Sequence, residues 1–270
     1  MYKKPEFVKE VEDSLKALAE ETDNVKKSEF FRQYLETMSK FWQYSCHNQL
    51  LIHFAMPEAT KIAGFKKWQE LKRNVKKGSK AIKILAPSFK TVKAIDPATQ
   101  EEKEEQITFF FPVNVFDITQ TEGQQLPEVK IIIDGDNYKG FLDSLASFCN
   151  ERSIKLNFKN LGVNGLYGYS TGRMIAISST ESINTQVNTM IHEIAHELLH
   201  KESKLDKQQK EIQAEGTAYV VTKHFGLENK SFNYLAIYNA DYKKIIENFK
   251  AVAEASREII SYLEEGLVGG

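Results

Sequence analysis

His192-Glu193-Ile194-Ala195-His196 sets two imidazoles four positions apart. On a helix this spacing brings both to one face, a turn apart, so that two ring nitrogens can meet one metal ion. Glu193 lies beside that face, placed to take a proton from a water activated there. Val187, Met190, Ile191, Ile194, Leu198 and Leu199 supply the apolar positions of a buried helix. A dry wall strengthens electrostatic interactions at such a site.

Zinc requires a third protein ligand and keeps a fourth position for water. His200 lies about 12 Å along the helix axis from His192, too far to share the ion. The segment also lacks the glycine turn of the longer His-Glu-x-x-His-x-x-Gly-x-x-His pattern. His200 therefore reads as a polar residue near a helix end. Better candidates stand on the following helix, where Glu211 and Glu215 are again four apart and share a face. One can bind the metal while the other orients a ligand histidine. Spacing alone leaves open which does which. Gly216 and Ala218 would let this helix approach its neighbours closely.

Around these residues the apolar periodicity predicts helices over 183–201, 207–225 and 241–264, with Asp241 opening the last and Gly226 closing the second. Before them come a helix over 138–152, a strand over 154–158, and a hairpin of 165–170 and 173–178 turning at Thr171-Gly172. The strand at 174–177 is a candidate edge for aligning an extended substrate by main-chain bonds. The N-terminal half reads as helices over 5–23, 28–43 and 47–55 and a short helix over 65–71. Strands over 81–95, interrupted at Ala86-Pro87-Ser88, and over 107–118 follow, joined by a turn at Asp96-Pro97 and a charged tip over 100–106. The polar segment 119–129 marks a domain boundary. The expected architecture is α+β in two domains, 1–125 and 128–270.

The 270 residues suffice for two cores without staples. Cys46 and Cys149 match no metal or redox spacing and read as buried thiols of a reducing compartment. The N-terminus is charged where a signal peptide needs an apolar run, and no stretch of 18 apolar residues occurs. A cytoplasmic protein with no membrane partner is expected.

Net charge is −1, yet residues 61–93 carry ten Lys and Arg73 against Glu70 alone. That segment is a candidate polyanion site. Lys66, Lys67, Lys72, Arg73, Lys76, Lys77 and Lys80 would meet phosphates, and Trp68 beside Phe65 would offer an aromatic face to bases. A solvated basic surface with Trp68 in the core is the competing reading.

The metal motif and its continuation, Glu211-x-x-Ala-Glu215-x-x-Ala-Tyr-Val-Val221, resemble the zincin-like metallopeptidase domain of ArdC-type antirestriction proteins and, more distantly, the ImmA/IrrE metallopeptidases. The N-terminal half resembles the single-stranded-DNA-binding domain of the same family. The matching stretches are Tyr44-Ser-Cys-His-Asn-Gln-Leu-Leu-Ile52, the run from Ala63 to Ile82, and Phe116-Asp-Ile-Thr-Gln-Thr121. The resemblance implies Zn2+ held by His192, His196 and Glu215, with Glu193 as catalytic acid/base and Glu211 supporting a ligand; a thermolysin-like order would exchange the two glutamates. It implies single-stranded DNA and a protein or peptide substrate as partners, and protection of incoming mobile DNA from restriction. A regulatory peptidase that cleaves a repressor, and a DNA-binding protein with a vestigial peptidase, are the rival readings.

Overall fold

The computed structural model describes residues 5–21, 23–95, 102–126, 137–163, 165–227 and 241–268. The expected turn at Asp96-Pro97 and the end of the segment 119–129 lie outside these. The chain divides into two compact units, Met1–Val11 with Leu50–Pro127 and Glu12–Gln49 with Glu128–Gly270. The division falls within helix α1 (Glu6–Glu20) and helix α3 (Cys46–Ala55). Residues 12–49, assigned by sequence to a domain 1–125, are thus grouped with the C-terminal residues.

In the first unit a three-stranded antiparallel sheet has the order β1 (Ile62–Gly64), β4 (Glu102–Asp117), β3 (Ile82–Ile95). β1 pairs only with Val115–Asp117, whereas β3 pairs with β4 along its whole length. Ile82, Ile84 and Val115 at the base of the sheet are buried. Beyond them β3 and β4 form a two-stranded ribbon. Pro87 and Pro112 lie within it, tolerable because such strands have an edge that needs no donor. Helix α4 (Phe65–Glu70) buries Trp68 to 1% exposure, with its Nε1–H donated to Phe116 O at 2.9 Å. The charged stretch expected as a tip is already strand from Glu102 onward.

Asp117 explains the Phe116–Thr121 motif. Its side chain is fully buried and accepts from the backbone N–H of Thr60, Lys61 and Thr119. It caps a 3-10 turn over Ile118–Gln120 and pins the approach to β1. β2 (Arg73–Val75) then pairs with β5 (Thr121–Gly123).

In the second unit β8 (Met174–Ser178) lies between β6 (Lys155–Lys159), parallel to it, and β7 (Gly168–Ser170), antiparallel. Ile175, Ala176 and Ile177 are fully buried, as befits a strand covered on both faces. The expectation of 174–177 as an edge is therefore corrected: β8 is central, and β6 and β7 are the edges. Helix α5 (Asn137–Glu151) and helix α6 (Ile183–Leu199) pack against one another, and α6 also packs on β7 and β8. Ser182 caps α6 by accepting from Thr185 N.

Helix α7 (Lys207–His224) is buried nearly all round from Ile212 to Thr222. It packs on α6, on α8 (Tyr242–Val268) and on α2 (Asn24–Lys40). Thr217 and Thr222 satisfy their hydroxyls on carbonyls one turn back. A Cβ at Gly216 would meet Val252 Cγ2 of α8 at 2.9 Å, so the close approach expected of this helix is realised. Phe31 and Tyr34 of α2 close on Phe249 of α8, at ring distances of 5.2 and 4.4 Å.

Candidate metal centre and basic surface

α6 and α7 lie side by side, and their facing side chains converge. Nε2 of His192 and Nε2 of His196 are 3.0 Å apart. Oε2 of Glu211 stands 3.5 Å from the first and 3.8 Å from the second. A point equidistant from the three atoms lies about 2.0 Å from each, the length of a zinc–nitrogen or zinc–oxygen bond. Two imidazoles and a carboxylate also form a donor set that zinc favours. The residues therefore fit a divalent ion.

Glu215 does not join that triangle. Its Oε1 lies 3.5 Å from Nδ1 of His192, the other nitrogen of the ring. The geometry thus has Glu211 where a ligand would stand and Glu215 behind a ligand, the reverse of the order expected from the resemblance. The physical reason is register: Glu211 is one turn nearer the start of α7, where both Nε2 atoms face it.

Charge follows position. Burial lowers the affinity of His192 for a proton, but the Glu211 hydrogen bond and the Glu215 and Glu193 charges overcome it and raise its pKa. His196 is pushed down to about 4 by burial and by His192. Glu211 is lowered by its hydrogen bond with His192, against burial. Glu215 is raised by burial. Glu193, only 7% exposed, is raised by burial, and His192 and the Ser170 hydroxyl pull partly back. A carboxylate held out of water in this way is a stronger base than an ordinary surface acid.

The sequence analysis set His200 aside as a polar residue near a helix end and overlooked Gln213 and Asn248. His200 is buried with Nδ1 2.9 Å from Nδ1 of His196, and its Nε2 lies 3.0 Å from Oε1 of Gln213. Gln213 in turn donates from Nε2 to Oδ1 of Asn248 at 2.8 Å. The signal for His200 was its spacing: four residues past His196, it reaches the ring nitrogen of His196 that faces away from His192. Gln213 and Asn248 had no comparable mark.

A cleft of about 230 Å3 opens beside the site, lined by Leu166, Tyr167, Gly168, Thr189, His192, Glu193 and Glu215. β7 forms one of its sides. A Cβ at Gly168 would meet Thr189 Cγ2 at 2.6 Å, so glycine lets β7 lie directly on α6. At the far end of the β7–β8 hairpin, Glu197 accepts from the backbone N–H of Gly172 and Arg173 at 2.9 and 2.6 Å.

The basic segment is sorted by the same test. Lys66, Lys72, Lys77 and Lys80 are exposed. Lys67 pairs with Glu70 at 3.0 Å, and Lys76 donates to Thr119 O. Arg73 is a brace between β2 and β5, donating to Thr121 Oγ1, Thr121 O and Gln124 O. Trp68, expected to stack on bases, is corrected to a core residue with no face on the surface. Exposed aromatic faces are found instead at Phe65 and along the ribbon, at Phe89, Phe109, Phe110 and Phe111. The three consecutive phenylalanines in an alternating strand were the sequence signal, since at most one side of the strand can face a core.

Comparison with known proteins gives two family matches. Residues 5–116 match the N-terminal domain of anti-restriction factor ArdC, and residues 149–262 match the IrrE N-terminal-like domain of the M78 peptidases. An uncharacterized protein of Bacillus anthracis is 25% identical over 304 residues, which covers 96% of this chain and 51% of that protein. The chain thus spans about half the length of the curated relative it matches. The metal-free crystal structure of the antirestriction ArdC protein from plasmid R388 aligns with a TM-score of 0.53 at 18% identity, over 84% of this chain and 86% of that one. A Mn(II)-bound structure of that protein aligns with a TM-score of 0.49 at 16% identity, over 83% and 88%. The fold of the metal-free structure is shared.

Proposed function

From a chain that belongs to the ArdC-type antirestriction proteins, with the ArdC N-terminal domain followed by an IrrE-like metallopeptidase domain, we propose a zinc-dependent peptidase that also binds single-stranded DNA and protects incoming mobile DNA. The division proposed is a DNA-binding domain over 1–125 and a gluzincin-like peptidase domain over 128–270. The observation that carries the enzymatic reading is the convergence of His192 Nε2, His196 Nε2 and Glu211 Oε2 beside buried Glu193.

His192, His196 and Glu211 would hold the ion, and Glu215 would orient His192 through Nδ1. When bound, zinc supplies Lewis acidity, polarising a peptide carbonyl and acidifying a water. Glu193 takes the proton of the attacking water and passes it to the leaving nitrogen. The edge of β7 offers main-chain groups to an extended substrate, which the cleft of Leu166 and Tyr167 would receive. In the N-terminal domain Lys66, Lys72, Lys77 and Lys80 meet phosphates, and Phe65 with the ribbon aromatics offers faces to bases.

The deciding experiment compares wild type with Glu193→Gln in three assays: proteolysis, single-strand binding and protection of transferred DNA from restriction. The change keeps shape and metal ligands but removes the base. Loss of proteolysis with DNA binding intact is expected. Proteolysis by the variant at the wild-type rate would overturn the role of Glu193. The match of residues 149–262 to the IrrE family supports a second reading, a peptidase that cleaves a repressor. Protection that survives Glu193→Gln would favour it, or a DNA-coating role without proteolysis.

A further inference from the structure

Behind His196 runs a line of three buried polar side chains, His200, Gln213 and Asn248, contributed by the end of α6, by α7 and by α8. The links measure 2.9 Å from His196 Nδ1 to His200 Nδ1, 3.0 Å from His200 Nε2 to Gln213 Oε1, and 2.8 Å from Gln213 Nε2 to Asn248 Oδ1.

The directions of these bonds follow from the chemistry of each group. A carboxamide oxygen only accepts, so His200 donates from Nε2 to Gln213. A neutral imidazole carries one N–H, which leaves Nδ1 of His200 as a bare acceptor. Of the two Nδ1 atoms, His196 must then donate. Its own Nε2 is left with a free lone pair, and that is the nitrogen facing His192 and Glu211. Were the Gln213 and Asn248 amides turned over, every bond would reverse. His196 would then hold a proton on Nε2, where an ion needs the lone pair. His192, by contrast, faces a carboxylate from each nitrogen, Glu211 at Nε2 and Glu215 at Nδ1, both at 3.5 Å. Asn248 keeps its oxygen on Gln213 while its Nδ2 is buried with no partner among the described residues.

We propose that Asn248 and Gln213, acting through His200, fix His196 in the tautomer that leaves Nε2 bare, and so hold the site ready for metal. All three are positioning residues. The proposal rests on the reading of His192, His196 and Glu211 as the ligand set.

The first test uses no metal. Nitrogen NMR of histidine-labelled, metal-free wild-type protein at pH 8 should show His196 protonated on Nδ1, with Gln213→Met losing that preference. A wild-type His196 protonated on Nε2 would overturn the proposal, and this measurement needs no variant to fold. The second test is zinc affinity by chelator competition. Gln213→Met and His200→Phe should each weaken zinc about 10- to 100-fold. Asn248→Asp, which can only accept from Gln213, should retain wild-type affinity. Unchanged affinity in both weakened variants, with melting curves like wild type, would sink the proposal. Should wild-type protein show the Nδ1–H tautomer and yet take no zinc, the relay stands and the ligand reading falls.

Discussion

Glu215 faces Nδ1 of His192 at 3.5 Å, the nitrogen of that ring that cannot reach the same ion as His196. Loss of Glu211 and loss of Glu215 should therefore differ in kind. Glu211→Ala removes a ligand and should cost well over about 100-fold in zinc affinity, while Glu215→Ala removes a partner of a ligand and should cost about 10- to 100-fold. Chelator competition on the two variants measures both. The opposite ranking would restore Glu215 as the third ligand.

Metal binding should weaken on acidification, starting from a pH above the ordinary histidine value. Proton and ion compete for the same lone pair on His192, whose pKa is raised by its acidic neighbours. His196, held near 4, stays neutral through this range and adds no second step. Below the raised pKa of His192, zinc affinity should fall by about tenfold per pH unit, one proton displaced per ion. Titrations at pH 8, 7 and 6 would show it; a flat profile would mean that His192 does not bind through this nitrogen.

Trp68→Ala should act on stability before it acts on DNA. The side chain is buried and hydrogen-bonded to Phe116 O. Its removal should cost about 3–5 kcal/mol, as for other large aromatic truncations in cores. Phe65→Ala, at a half-exposed position, should leave the melting curve nearly unchanged. Equal melting of both variants would contradict the burial of Trp68.

Phosphate binding and base stacking should separate by their response to salt. Lys77→Ala with Lys80→Ala should flatten the log–log salt slope of single-strand binding by roughly 0.7 for each phosphate no longer neutralised. Phe109→Ala with Phe111→Ala should lower affinity by about 1–3 kcal/mol per stacked base at every salt concentration and leave the slope alone. Binding unaffected by the paired phenylalanine change would remove the ribbon from the interface.

Gly216→Ala should destabilise the protein by about 1–3 kcal/mol, because the new methyl overlaps Val252. Adding Val252→Ala should recover part of that loss. Thermal unfolding of the single and double variants tests it; additive losses would show that α7 and α8 do not touch there.

The metal helix was legible because its signal is local. Two histidines four apart on an apolar helix specify their own juxtaposition, as do Asp241 and Gly226 at helix ends. What sequence left undecided is what depends on rotation between two helices. Glu211 and Glu215 are equivalent by spacing, and only the packing of α7 against α6 distinguishes them. The sheet order was hidden for a similar reason: Met174–Ser178 reads as strand from composition, but pairing on both sides is a tertiary fact. Trp68 was misplaced because a tryptophan among lysines satisfies two patterns at once, a stacking platform and an amphipathic helix with one buried face. The carbonyl of Phe116 that it finds lies 48 residues away.

Glu197, the residue after the second motif histidine, bonds the turn of the β7–β8 hairpin at Gly172 and Arg173. The helix that carries the ligands and the strand that would carry the substrate are therefore fastened together at one end, like two rules riveted at a corner. The opposite end is held too, where Gly168 lies against Thr189 of the helix and Tyr167 O accepts from Ser178 N–H at 2.8 Å. A peptide laid along β7 would therefore meet a wall fixed to the helix at both ends, and would have to fit a cleft whose width is set in advance.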